Sequence, residues 1–403
     1  MAYPPPTDDR AADPLGYLGI VRLPGAARAF LPALLGRLAF AMVGLVILLA
    51  VQRATGSFAV AGSATGAFGV ANVVASPYRA RLVDRIGQRR ALVSMAVGFA
   101  TALVTLAVLT YVDAPAWFLV LGSLVTGFFP PPLGASMRVV WSSLTPPGPT
   151  RTRAYSLDAV SEESMFTIGP LLGATLVTAL SPSIALAATG CVAVVGTVGM
   201  TTSRHSRGHG PRTTGTTPSS RPLRRPGFVG VLTAMAGVGA VLGTVEIAAT
   251  AFAAKQGAIG SAGTLLAALG AGSVCGGLLY GRRSWAGSLT RRLLTTVLMM
   301  AVLTSLLSLV STTVPLHVGL FLLGFCIAPA LVTGYLLSDH LTTADVRTEA
   351  SSWINTAVNA GAALASAGIG VVVDSRSPGT GFLVGGAAAA LLLVLAAVTR
   401  PPS

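Results

Sequence analysis

The chain has 403 residues, 53% of them hydrophobic and 10% charged, with a mean hydropathy of +0.75. A chain of this length with so few charges cannot cover itself with a water-facing surface, which excludes a soluble enzyme and makes this a membrane protein. The formal net charge of +14 does not point to nucleic acid, because the basic residues are scattered among short loops and form no single basic face.

In chain order, Met1 to Asp13 is polar and Pro-rich and shows no cleavable signal peptide, so it is expected to be disordered and cytoplasmic. Apolar runs near the roughly 20 residues that cross a bilayer begin near Phe30, Ser57, Ala91, Trp117, Tyr155 and Ser183. A second set begins near Phe228, Ile259, Leu293, Leu316, Ser352 and Gly381, which makes twelve spans. The predicted fold class is therefore all-α membrane protein, with two bundles of six helices. The expected units are a tail at 1–28, a bundle at 29–203, a linker at 204–226 and a second bundle at 227–400. The linker, RHSRGHGPRTTGTTPSSRPLRRP, has no apolar periodicity and reads as flexible chain, and its His205 and His209 are read as solvated residues, with no metal site expected.

Five arginines crowd RARLVDRIGQRRAL, Arg79 to Leu92, between the second and third spans. Such a run belongs to a loop on the cytoplasmic side, and placing the amino terminus inside puts almost every other arginine there too. Both termini are then cytoplasmic. All four tryptophans, Trp117, Trp141, Trp285 and Trp353, fall near predicted helix ends, where an amphipathic ring is expected to sit at the interface. Cys191, Cys275 and Cys326 lie inside apolar runs without CxxC spacing, which suggests packing residues.

The halves echo one another. RTRAYS at Arg151 to Ser156 recurs as RTEASS at Arg347 to Ser352, and Ala80-Arg81 with Arg89-Arg90 matches Gly281-Arg282 with Arg291-Arg292. Matches in the same order suggest two repeats of parallel topology. Glycine pairs four apart, Gly62 with Gly66, Gly239 with Gly243 and Gly272 with Gly276, are expected to let helices pack closely.

On these residues the chain resembles the major facilitator superfamily of secondary transporters over nearly its whole length. Leu82, Asp84, Arg85, Gly87, Arg89 and Leu92 match that family's loop motif, GxLaDrxGrkxxl, while Ala80 replaces its first glycine and Gln88 its first basic position. In that family the loop latches the two halves on the inside, which implies a gating role for Asp84, Arg85, Gly87 and Arg89, with Asp84 near the amino end of the eleventh helix. Gly169-Pro170-Leu171-Leu172-Gly173 is similar to the GPxxGG motif of antiporter branches, with Met165 and Ala174 in place of its outer glycines. On its own, a Gly-Pro pair serves close packing and a bend. The helix 4 arginine of many proton-driven exporters is absent, Ser123 standing in its place, but Arg138 follows after Pro130, Pro131 and Pro132, which must break or kink that helix.

Ionisable groups within the membrane are costly unless paired or hydrated, so each is a functional candidate. Arg37 lies about 10 Å into the first helix by its rise per residue. Asp158, Glu162 and Glu163 lie in the first turns of the fifth helix and Glu246 toward the outer end of the seventh. Aligning RTRAYS with RTEASS places Glu163 opposite Asn359, and Asn355 and Asn359, four apart, share a face that would line a polar cavity. Glu163 is thus expected to face that cavity as the first proton-coupling candidate, with Glu162 second. Asp158 is expected at the interface in touch with water, and it and Glu162 can pair with Arg138 or Arg153.

No Walker loop, GxSxG elbow or HExxH appears, so an enzyme is not expected and no cofactor or metal is called for. The expected activity is export of a small amphipathic molecule in exchange for protons, by a plasma-membrane protein acting as a monomer. Its partners are the substrate, protons and the bilayer. Proton-coupled import of a small solute and a non-transporting membrane sensor are the alternatives.

Overall fold

A computed structural model of the chain describes residues 15–203, 222–256, 261–285 and 287–398. The expected disordered start and most of the linker, with His205 and His209, lie outside them. The first bundle comprises a short α1 (Tyr17–Arg22), then α2 (Ala26–Thr55), α3 (Phe58–Ile86), α4 (Gln88–Tyr111), α5 (Ala116–Gly127), α6 (Leu133–Leu144), α7 (Pro149–Ala179) and α8 (Pro182–Thr201). The second comprises α9 (Phe228–Lys255), α10 (Ser261–Arg282), α11 (Leu289–Leu306), α12 (Thr313–Leu341), α13 (Arg347–Ser375) and α14 (Pro378–Val398).

Among the described residues, nine segments are long and apolar enough to cross a membrane by length and composition. The other three expected spans are α3, α7 and the fourth, which is broken into α5 and α6 at Phe128 to Pro132. The break has a local cause. Pro130, Pro131 and Pro132 carry no N–H to continue the helical ladder, so α6 starts afresh beyond them. The freed carbonyl of Pro130 accepts a hydrogen bond from Arg79 Nη1 at 2.5 Å.

The same helix pairs recur in each half. The first span packs on the fifth and sixth, the third on the sixth and the second on the fourth. In the second half the seventh packs on the eleventh and twelfth, the ninth on the twelfth and the eighth on the tenth. The halves meet through α7 against α10 and α12, and through α13 against α3 and α6. One apolar core runs through both bundles, joining Ile20, Phe30, Trp141 and Tyr155 to Tyr280 and Tyr335 near Arg79 to Leu92, and continues along the second bundle to Phe252, Leu265 and Leu316. At the opposite end a separate core, including Val46, Phe68, Leu103 and Leu186, belongs to the first bundle alone. Among the described residues, the first bundle joins the shared core only near the loop end.

Backbone contact without side chains between holds α9 to α13. A Cβ on Gly239 would strike the Val358 carbonyl and one on Gly243 the Ala362 carbonyl, while Gly361 is pressed on Ala236. Gly272 and Gly276 of α10 lie in the same way on Phe321 and Phe325 of α12. The third expected pair is a correction: Gly62 and Gly66 stand on the exposed face of α3, with nothing within 4 Å of an added Cβ. Gly239→Leu is accordingly expected to cost about 1–3 kcal/mol by overpacking, and Gly62→Ala to be neutral or mildly stabilising through helix propensity. Thermal unfolding of the two purified variants in detergent checks the contrast.

The tryptophans also divide. Trp117 and Trp285 are well exposed, whereas Trp141 is fully buried, its ring edge-on to Phe30 at 5.2 Å between centroids. Its N–H has a buried partner in Asp158, so it is drawn inward and away from the interface.

Candidate functional site

Four charged side chains from three helices form a chain beneath the break in the fourth span. Arg37 Nη2 of α2 donates to Asp158 Oδ1 of α7 at 2.8 Å. Arg138 of α6 lies with its Nε 3.4 Å from Asp158 Oδ2 and its Nη2 on Glu162 Oε2. Asp158 and Glu162 are one helical turn apart, so a single arginine from the facing helix reaches both. Trp141 Nε1 adds a donor to Asp158 Oδ1 at 3.3 Å. Asp158 is 0% exposed, which corrects the expectation of a water-touching carboxylate. With two guanidinium groups and an indole N–H supplied by α2 and α6, it needs no water to offset its burial.

Arg138 also reaches the second bundle. Its guanidinium carbon stands 3.5 Å from the centre of the Tyr335 ring on α12, a desolvated cation–π contact. The Tyr335 hydroxyl donates to Asn355 Oδ1 on α13. The charge chain of one bundle is thus tied through one aromatic ring to the polar face of the other.

Above the chain lies a cavity of about 100 Å³ between the bundles. Its walls include Arg37 and Phe40 of α2, Asn72, Ser76 and Arg79 of α3, Pro130 to Ala135, Glu162 and Phe166 of α7, and Ser352, Asn355 and Asn359 of α13. Glu163, expected there, is not among its lining residues; Glu162 is. Neighbouring residues on a helix stand about 100° apart, and Arg138 holds Glu162 on the cavity side. Among the described residues, none of the salt bridges includes Glu163. Glu246 is exposed on α9 and does not line the cavity. Gly169 and Gly173 pack on Ala41, Met42 and Val46 of α2, and α7 runs through Pro170 unbroken.

Arg79 is the residue that the sequence reading misplaced. Counted with the charged loop, it is 8% exposed and lines the cavity. Its Nη2 donates to Asn72 at the backbone oxygen (2.9 Å) and Oδ1 (2.7 Å). The spacing of Asn72, Ser76 and Arg79, i, i+4 and i+7, marks one polar helix face and was legible. The density of arginines around Arg79 masked it.

At the loop end, Arg81 grips Glu349 of α13 with two bonds, Nε to Oε2 at 3.2 Å and Nη2 to Oε1 at 2.6 Å. Asp84 Oδ2 accepts the Glu349 backbone N–H at 2.9 Å. That N–H is in the first turn of α13, where backbone donors have no helical partner and the dipole favours an anion. Gly87, at φ 87°, joins α3 directly to α4 in a conformation that side chains resist, while Arg85 and Arg89 are exposed. Other ties cross between the bundles at this end. Arg153 Nε donates to the Gly281 carbonyl at 2.9 Å, Arg347 Nη1 to Ser142 Oγ at 3.2 Å, and the Tyr155 hydroxyl to Asp339. Among the described residues no cluster of three or more His, Cys, Asp or Glu could hold a metal ion.

Solved structures share this architecture. The human organic anion transporter MFSD10 aligns with a TM-score of 0.68 at 18% identity, covering 92% of this chain and 98% of that one. The E. coli fucose:proton symporter FucP, in its outward conformation, aligns at 0.68 with 13% identity, covering 93% and 100%. An outward-facing bacterial homologue of the iron transporter ferroportin aligns at 0.68 with 14% identity, covering 93% and 98%. At such identities the likeness is one of fold. No curated protein matches the sequence. The sequence model of the Major Facilitator Superfamily matches residues 29–366. With that match, two repeated six-helix bundles and a cavity between them, the chain belongs to the Major Facilitator Superfamily, a family of membrane transporters and not of enzymes.

Proposed function

We propose that the protein exports a small amphipathic molecule in exchange for protons, by alternating access, from a plasma membrane in which both termini are cytoplasmic. The observation that carries this reading is Glu162, a cavity carboxylate held by an arginine that also touches the opposite bundle. A proton that neutralises Glu162 removes its attraction to Arg138 and loosens the tie through Tyr335; loss of the proton restores it. The reading places Glu162 ahead of Glu163, since only the former lines the cavity. Export is favoured by the resemblance of Gly169 to Gly173 to the antiporter motif, packed here against the first span. The test is the pH change inside proteoliposomes of defined orientation challenged with hydrophobic drugs, sugars and amino acids. Substrate-driven proton movement opposite to the substrate supports exchange. Movement in the same direction supports import, and no movement returns the protein to the sensor class.

In the same reading the loop end is the cytoplasmic gate, closed here, and Asp84 is its latch. Asp84→Asn replaces a charge-assisted hydrogen bond by a neutral one and takes an anion from the α13 amino terminus. We expect a several-fold faster reaction of a membrane-impermeant maleimide, added from the loop side, with Ser352→Cys in a chain lacking its native cysteines. An unchanged rate removes the latch.

A further inference from the structure

Of the charges that line the cavity, one is left without an opposite. Arg37 is matched by Asp158 and Glu162 by Arg138. Arg79 is nine-tenths buried, and among the described residues none of the salt bridges includes it. Its bonds go to neutral oxygens, the Pro130 carbonyl and Asn72, and its Nε has no partner at all. A buried guanidinium satisfied only by neutral acceptors retains a full positive charge, and desolvating it is costly unless an anion joins it. The same cavity is lined by Ser76 and Ser352, whose hydroxyls bond each other at 2.7 Å and leave one hydrogen to donate, and by the Asn359 amide, which can donate to an oxyanion as well. Phe40, Phe99 and Phe166 offer an apolar wall to the rest of a ligand.

We propose that this cavity takes a small organic anion, its carboxylate or sulfonate on Arg79 and its apolar body against the phenylalanines. The inference rests on the transporter reading for its meaning in transport, but its binding test does not. Neither Lys nor a neutral residue would serve equally, since the guanidinium fork matches a planar oxyanion while keeping Pro130 in place.

The experiment uses the full-length purified protein and four probes of one shape: 4-butylbenzoate, 4-butylbenzenesulfonate, 4-butylbenzamide and 4-butylbenzylammonium. Binding is read by thermal stabilisation in detergent and flux in proteoliposomes. The benzoate, the sulfonate or both should bind at least ten-fold more tightly than the amide, and Arg79→Gln should abolish that preference. Should Arg79→Gln fail to fold, the four-probe comparison on the unaltered protein still decides. Anions that bind without being moved leave the site standing and remove the transport reading. Amide or ammonium binding as tight as that of the anions, or no anion binding, overturns the site even if a neutral or cationic compound is transported.

Discussion

Asp158→Ala is expected to destabilise the protein by about 3–5 kcal/mol, the range for a buried ion pair broken from one side. Asp158 is the central acceptor between Arg37 and Arg138, both almost fully buried. Removing it leaves Arg37 with no carboxylate, next to two other guanidinium nitrogens, its Nε and Nη1, that already lack partners. Arg138 keeps Glu162 and Tyr335, so the loss falls mainly on Arg37. It follows that Arg37→Met combined with Asp158→Leu should recover a large part of the stability, because no charge is then stranded and the volume is retained. Reversible unfolding of the two variants in detergent measures both quantities. A single variant within about 0.5 kcal/mol of the parent, the size of an ordinary surface effect, would mean that water enters the chain of charges and that the site is not dry.

Much of the architecture was legible because it depends on local sequence. Apolar length marks nine of the spans, three prolines mark the break in the fourth, and Gly87 marks the joint between α3 and α4. Asp84 was legible because the lone acid in a basic run needs a partner that the arginines do not explain. The charge chain was legible in part: Arg138 pairs with Asp158 and Glu162 as expected, whereas the link from Arg37 to Asp158 had no local signal. Arg37 and Asp158 are 121 positions apart and meet only through the packing of α2 on α7. The rotation of α7 about its axis was equally hidden. Aligning the repeats selected Glu163 by analogy with Asn359, but α12, the counterpart of the fourth span, carries no arginine to match Arg138. Arg79 shows the opposite failure, since its helical spacing with Asn72 and Ser76 was present while the crowd of neighbouring arginines suggested a solvated loop.

The second large effect separates the two adjacent carboxylates. Glu162→Gln is expected to lower proton-driven flux at least ten-fold while substrate counterflow, which needs no net proton movement, continues at near the parent rate. Glutamine keeps the size and can still accept from Arg138 Nη2, but it cannot take up or release a proton, so the cavity and its tie to Tyr335 survive in one fixed state. Glu163→Gln, off the cavity wall, is expected to leave both rates nearly unchanged. The pair of measurements is more informative than either alone. Loss of both rates in Glu162→Gln would mark a structural residue, because a collapsed site cannot exchange substrate either. Loss of driven flux in Glu163→Gln, with Glu162→Gln intact, would move the coupling site one residue along α7. It would also mean that α7 turns by about 100° as the bundles rock, the angle between adjacent residues on a helix.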